Sequence, residues 1–389
     1  MAKIRVLLAD DAVVVRRILT DTLAEDPDIE VVGTAPNGKI ALAKLAQLTP
    51  DIVILDVEMP DMDGLEALKE IRKTNRLIPV IMFSTLTQRG AVATLDALSF
   101  GASDYVTKPS NVGSVGAAMQ TIRETLIPKI KLFTRHNSLR DTTIRPAPRL
   151  VSSESVAVAP LTLKRPMLAS ATSATTMRGS ERVEVLAIGT STGGPDALNI
   201  VLPQLPADFP VPIVIVQHMP PMFTKLLAER LNSRCAISVA EATQGMLLEP
   251  GKAWVAPGDF HLALERTDGK LYTRVFVGPP ENSCRPAVDV MLRSVAQFYG
   301  AGCLSVILTG MGQDGLRGCE AVSSMGGQVI AQDEASSVVW GMPGFVAQAG
   351  LASKVLPLSE IAGEIIRRTM AGRPARRVPL PNPYLGVAA

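Results

Sequence analysis

Cysteine is scarce: four residues in 389, at Cys235, Cys284, Cys303 and Cys319, with no two in a CxxC pair. That spacing excludes a zinc ribbon and a thioredoxin-like redox motif. No run of about 18 apolar residues occurs, so no membrane insertion is expected. The opening MAKIRVLLADD has too few apolar residues before its two aspartates for a signal peptide. Net charge is nearly absent as well, with 39 basic residues against 37 acidic. A chain built mainly to grip nucleic acid would be strongly basic. The expectation is a cytoplasmic protein with free thiols and no nucleic-acid partner. Apolar residues, by contrast, make up 47% of the chain, enough for sizeable cores. At roughly 150 residues per domain, the length suggests two or three domains.

Residues 1–130 alternate short apolar runs with amphipathic stretches. Ile4–Ala9, Ile29–Thr34, Ile52–Leu55, Val80–Phe83 and Tyr105–Thr107 read as strands, and Asp63–Lys73 and Arg89–Ser99 carry helical spacing. Five β/α alternations imply a parallel sheet with helices on both faces. Residues 131–180 are rich in Pro, Ser and Thr, carry eight basic and two acidic residues, and read as a flexible basic linker. The alternation resumes over 181–372, with strands at Val183–Ile188, Val211–Val216 and Leu304–Leu308, a β meander over 252–277 and a last helix near Leu358–Arg368. A Pro/Arg-rich tail occupies 373–389. The fold class is therefore α/β: two doubly wound parallel-sheet domains, the first flavodoxin-like, the second Rossmann-like with the meander, joined by the linker.

In such sheets ligands gather beyond the carboxyl ends of the strands. The first segment places Asp10 and Asp11, then Asp56, then Ser84, then Lys108 at successive strand ends. Asp is a common turn residue, so any one of these alone reads equally well as a loop residue. Together, three carboxylates form an oxygen-rich pocket suited to Mg²⁺, with Lys108 offsetting the surplus charge. Such a site can stabilise a phosphoryl group moving onto Asp56.

On the motifs LLADD, ILDVEMPDMDG, MFS and DYVTKP, residues 4–125 resemble the receiver domain of two-component response regulators. The resemblance implies that Asp56 accepts phosphate from a histidine kinase. It also implies Mg²⁺ held by Asp10, Asp11, Asp56 and the backbone carbonyl of Glu58. Ser84 and Lys108 would contact the phosphate, and Tyr105 would be an aromatic switch.

In the second segment, VEVLAIGTSTGGPDAL reads as strand, tight turn and helix, and Gly189–Gly193 fits the G-x-S-x-G pattern of a nucleophile elbow around Ser191. The pattern alone leaves a phosphate-cradling loop or a plain turn open. That loop itself carries neither GK[ST] nor G-x-G-x-x-G. A serine nucleophile needs a base, and only His136, His218 and His261 exist. His136 opens the linker and His261 falls in a meander turn. His218 directly follows the strand VPIVIVQ, which favours it. The carboxylate that orients an imidazole is best met by Asp314, at the tip of the Gly-rich turn TGMGQDG, where capping the next helix is the competing role. The chain order Ser, His, Asp differs from the Ser, Asp, His of α/β-hydrolases, so a convergent triad on a doubly wound sheet is expected.

On IGTSTGGPDAL, QHMPPMFTKLLAERLN, APGDFHLAL, RPAVDVML, VILTGMGQDG and AQDEASSVVWGMP, residues 181–371 resemble the catalytic domain of chemotaxis protein-glutamate methylesterases. The resemblance implies Ser191 as nucleophile, His218 as base and Asp314 as its orienter, with Thr192 and Met311 lining the site near the oxyanion. It implies methylated chemoreceptors as substrate, deamidation of receptor glutamines as a second activity, no cofactor at the esterase site, and control by receiver phosphorylation. The competing readings are a receiver-regulated amidase, a nucleotide-binding module at Gly189–Gly194, and a DNA-binding output. The last would show a compact helix-turn-helix rather than some 190 β/α residues.

Overall fold

The computed structural model describes residues 3–109, 115–141 and 182–373. The amino-terminal unit runs β1 (Ile4–Ala9), α1 (Val13–Ala24), β2 (Ile29–Ala35), α2 (Gly38–Leu48), β3 (Ile52–Asp56), α3 (Gly64–Thr74), β4 (Val80–Ser84), α4 (Gln88–Ser99), β5 (Asp104–Thr107) and α5 (Val115–Asp141). Its five strands pair in parallel in the order β2-β1-β3-β4-β5. The chain reverses direction across the sheet between β1 and β3, which brings Asp10 and Asp56 to one crevice. Both β3 (IVILD) and β4 (VIMFS) are buried along their whole length, as continuous apolar runs require when helices cover both faces. The α3 helix opens with a reciprocal Asp63–Glu66 capping box. A Cβ on Gly64 would lie 1.9 Å from the Asp56 carbonyl oxygen, so only glycine lets this helix start against the acceptor strand.

The α5 helix continues through Asp141, so residues 131–141 are helical although their sequence reads as the start of a linker. The segment KLFTRHNSLRD contains no proline. Ile122, Leu126, Ile130 and Phe133, all buried, form a stripe that carries the helical period past residue 130. The remaining linker expectation (142–180) and the tail from 374 lie outside the described residues.

The carboxy-terminal unit comprises β6 (Val185–Thr190), α6 (Gly194–Val201), β7 (Ile213–Gln217), α7 (Phe223–Asn232), β8 (Ser238–Glu241), β9 (Lys252–Val255), β10 (His261–Thr267), β11 (Lys270–Phe276), α8 (Val288–Tyr299), β12 (Cys303–Ile307), α9 (Leu316–Ser324), β13 (Gln328–Gln332), α10 (Met342–Gln348), β14 (Lys354–Leu356) and α11 (Leu358–Met370). Seven strands form a parallel sheet in the order β14-β13-β12-β6-β7-β9-β8. From β6 the chain builds outward through β7 to β8 and β9, then returns to lay β12 on the other side. The loops after β6 and β12 thus part at the topological switch point, where doubly wound sheets bind ligands.

The expected meander over 252–277 resolves into two different things. The buried run at β9 joins the parallel sheet, whereas β10 and β11 form a separate antiparallel hairpin. That hairpin turns on Asp268-Gly269, both at positive φ, the geometry of a two-residue primed turn. His261, expected in a turn, is the first residue of β10 and is buried, its Nε2 3.0 Å from the Pro279 carbonyl oxygen.

Candidate active site

Ser191 follows β6 on a tight turn. Gly193 has φ +77°, a left-handed conformation that glycine adopts without strain, and α6 begins at the next residue. The turn is pinned from both neighbouring strands. The Ser191 N–H donates to the Thr309 carbonyl at 3.0 Å, the Thr309 hydroxyl donates to the Thr192 carbonyl at 2.9 Å, and Gln217 Nε2 donates to the Ser191 carbonyl at 2.9 Å. Among the described residues, the N–H groups of Thr192 and Gly193 have no hydrogen-bond acceptor. Two free donors beside a serine at a helix start are the arrangement an oxyanion needs. Met311 is partly exposed on the loop after β12.

His218 stands at the end of β7, its N–H bonded to the Thr190 carbonyl at 3.2 Å. Its Nε2 lies 2.8 Å from Asp314 Oδ2. Burial alone would push the Asp314 carboxyl up, but the His218 ring and the N–H groups of Val288 and Asp289 more than offset this and lower its pKa. An ionised carboxylate only accepts, so Nε2 carries a proton, and in the neutral ring the lone pair is on Nδ1. Burial lowers the imidazole pKa, but hydrogen bonds to Asp314 and Cys284 outweigh it and raise His218 to about 9. Ser191 and His218 are brought to one crevice by adjacent strands, but no hydrogen bond joins their side chains. Apo geometry at such pairs is commonly longer than in the reacting complex.

Three residues that sequence reasoning missed complete the site. Asp314 Oδ1 accepts from Asn282 Nδ2, from the Asp289 N–H and from the Gly315 N–H, each at 3.0 Å, while Oδ2 accepts from the Val288 N–H at 2.6 Å. Asp314 thus caps the amino terminus of α8, not that of α9 as its position suggested. The buried Asp289 stands beside it and accepts from the Gly318 N–H at 2.7 Å and from Asn282 Nδ2 at 2.9 Å. Burial is the main cause of its raised pKa, and the Asp314 charge adds to it. One amide therefore bridges two carboxylates. Cys284, the third, places Sγ 3.5 Å from His218 Nδ1. No motif marks Asn282 and Cys284, which reach the site through a tight turn ahead of α8, while Asp289 lies on α8 inside RPAVDVML, from which no role was read for it. The nearest sequence signal is the short ENSCRP segment itself.

The second crevice lies at the carboxyl edge of the amino-terminal sheet. Lys108 Nζ is 2.8 Å from both Asp10 Oδ2 and Asp56 Oδ2. Burial, with the neighbouring Asp10, raises Asp56 to about 6 against the pull of Lys108 and the Glu58 N–H. Asp10, Asp11 and Asp56 each offer an oxygen within 4.8 Å of the others, a hard donor set that fits Mg²⁺. The Ser84 hydroxyl donates to the Gly90 carbonyl at 3.1 Å.

The two units touch directly. Tyr105 stacks on Phe223 of α7 with centroids 5.1 Å apart. The Thr192 hydroxyl donates to Asp104 Oδ2 at 2.9 Å, and Lys129 Nζ sits 2.6 Å from the same oxygen. Arg230 of α7 reaches Asp96 at 2.8 Å and Ser99 at 2.9 Å, both on α4. Hence the residue next to Ser191 is held by the residue next to Tyr105.

Two family models match the chain: the response regulator receiver domain over residues 6–120 and the CheB methylesterase over residues 186–365. The protein-glutamate methylesterase/protein-glutamine glutaminase of Trichodesmium erythraeum is 54% identical over 369 residues, covering 95% of this chain and 99% of that protein. The protein of the same name from Nocardioides sp. is 51% identical over 375 residues, covering 96% and 98%. The crystal structure of the Thermotoga maritima CheB methylesterase catalytic domain is 46% identical, covers 48% of this chain and 98% of that one, and has a TM-score of 0.47.

Proposed function

The chain belongs to the family of receiver-bearing protein-glutamate methylesterases, and from that premise we propose that Ser191, His218 and Asp314 carry its hydrolytic chemistry under control of Asp56. It is a phosphorylation-regulated hydrolase acting in chemotaxis-type sensory adaptation. The observation that supports these roles best is the meeting of the Ser191 turn with the His218–Asp314 pair at the switch point of the sheet.

Ser191 Oγ attacks the γ-carbonyl of a methylated receptor glutamate as its proton passes to His218 Nδ1. The free N–H groups of Thr192 and Gly193 face the developing oxyanion, with Met311 at the mouth. His218 returns the proton to the departing methoxide, and methanol leaves. Water then attacks the glutamyl ester, again losing its proton to Nδ1, and the carboxylate and Ser191 are regenerated. Asp314 stabilises the imidazolium at both stages. With a glutamine side chain the same sequence expels ammonia, in keeping with the second activity in the relatives' names. Methanol and ammonia release from receptor-bearing membranes, with and without histidine kinase and ATP, tests both. The absence of either product from methylated or glutamine-bearing receptors would refute the assignment.

At the receiver site Asp10, Asp11, Asp56 and the Glu58 carbonyl would hold Mg²⁺, which when bound neutralises charge on the incoming phosphoryl group. Asp56 accepts that group from a histidine kinase. Lys108 then pairs with its oxygens, and the Ser84 hydroxyl turns from Gly90 toward them. Tyr105 and Asp104 lie one strand away and contact the esterase unit, so their movement loosens the grip on Thr192. Asp56→Asn is expected to abolish kinase-dependent phosphoryl labelling and leave methanol release at its basal rate. Stimulation of that variant by kinase and ATP would refute Asp56 as the switch.

Asn282 is a positioning residue in this reading. Asn282→Ala strips one donor from Asp314 and leaves Asp289 less well bridged. The expected result is a fall of about tenfold in kcat, or ~1.4 kcal/mol. Thermal unfolding should stay near that of the parent, because the residue is exposed. An unchanged kcat, or a matching loss of folding stability, would contradict the positioning role.

A further inference from the structure

We propose that His218 and Cys284 form a binding site for a thiophilic divalent cation of the Zn²⁺ class, with Asp314 as its outer support. This goes beyond the hydrolytic reading, and only its functional consequence rests on that reading. The first ground is distance. Tetrahedral zinc with one imidazole and one thiolate ligand separates N and S by about 3.5 Å. Cys284 Sγ and His218 Nδ1 are 3.5 Å apart, and with Asp314 they form a cluster whose ligand atoms all lie within 4.8 Å of one another. The second ground is orientation. A metal-ligating histidine characteristically donates its other ring N–H to a carboxylate, which fixes the tautomer and presents the lone pair. Asp314 Oδ2 does this for His218 through Nε2.

The third ground is pre-organisation. Cys284 is not on a loose loop. Glu281 and Cys284 exchange backbone hydrogen bonds at 3.1 and 2.8 Å across a turn whose two central residues, Asn282 and Ser283, have φ +51° and +61°. Asn282 then ties that turn to Asp289 and Asp314. The thiol is therefore held against the ring without needing the metal. Cys284 is only partly buried, so solvent can reach it. Binding replaces the thiol proton and, while the ring is an imidazolium, the Nδ1 proton as well, and both leave to solvent. Two protein ligands leave two positions for water, so the ion is exchangeable. A cation on Nδ1 occupies the lone pair that takes the Ser191 proton, so the bound state is an inhibited one. A soft ligand pair also selects against Mg²⁺, which separates this site from the all-carboxylate receiver crevice.

The test uses the full chain in chelator-free buffer. Zn²⁺ is titrated against methanol release, and Co²⁺ is titrated spectroscopically against Ser191→Ala protein. The expected result is reversible inhibition by Zn²⁺, lifted by EDTA and not produced by Mg²⁺. Cys284→Ala and Cys284→Ser should each raise the half-inhibiting Zn²⁺ concentration at least about tenfold relative to their own uninhibited rates. A thiolate-to-cobalt charge-transfer band should appear in Ser191→Ala and vanish when Cys284→Ala is added. No band, or zinc sensitivity unchanged in both Cys284 variants, would overturn the site. A Cys284-dependent band without inhibition would uphold the site and instead remove His218 Nδ1 as the catalytic base.

Discussion

Ser191→Ala is expected to lower methanol release at least about 10⁴-fold, while the protein folds and still takes up phosphate at Asp56. The size of the effect follows from what the substitution leaves intact. The turn is held by backbone groups: the Ser191 N–H on Thr309, and the Ser191 carbonyl under Gln217. A Cβ built on Gly310 would lie 2.9 Å from the Ser191 Cβ, an atom that alanine keeps. Only the oxygen is removed. The N–H groups of Thr192 and Gly193 remain, so a residual rate above the uncatalysed reaction is expected, with KM little changed. Single-turnover methanol release gives the rate, and phosphoryl labelling by the kinase reports the receiver. A loss of less than tenfold would mean that another nucleophile attacks the ester, and Cys284 would then be the next to test.

Much of this architecture was legible in the chain, for a physical reason. Buried parallel strands must be continuous apolar runs, and a polar residue at the end of such a run has nowhere to go but the carboxyl edge of the sheet. Asp10, Asp56, Lys108, Ser191 and His218 all follow that rule. The strand at Lys252–Val255 was less clear because its three apolar residues, beside an alternating hairpin, read as part of it. Sheet order then decided that β9 pairs with β7, and sheet order is a long-range property. The same applies to the site. The approach of β12 to β6 depends on the chain reversing across the sheet, so the joining of Asp314 to His218 is a topological fact. Asn282 and Cys284 were invisible for a further reason, and Asp289, although inside RPAVDVML, carried no readable role. They act through a turn of left-handed residues and a helix amino terminus, which have no periodicity. The contact of Thr192 with Asp104 was unreadable too, because it joins two residues 88 apart in sequence and in different units.

The Asp314→Asn variant is expected to lose about 10⁴-fold in kcat and to shift its pH profile in a defined direction. In the parent, His218 must be unprotonated at Nδ1 to accept the serine proton, and Asp314 and Cys284 hold its pKa up near 9. The parent's kcat/KM should therefore still be climbing above neutrality and level off near that value. An asparagine keeps the shape but not the charge. Five donors converge on the two carboxylate oxygens: Asn282, the N–H groups of Asp289, Gly315 and Val288, and the His218 Nε2–H. An amide must turn its NH₂ toward some of them. Facing Oδ1's three donors opposes three N–H groups, whereas facing Val288 and His218 opposes one if the ring gives up its Nε2 proton. The ring then carries its proton on Nδ1, and the base is lost. Without the neighbouring negative charge the imidazolium is also less favoured, so the pKa falls toward the ordinary histidine range. The acid limb of the residual activity should move to lower pH by the same amount, which pH–rate profiles of both proteins would measure. A limb that stays in place would show that Asp314 does not set the charge state of the base.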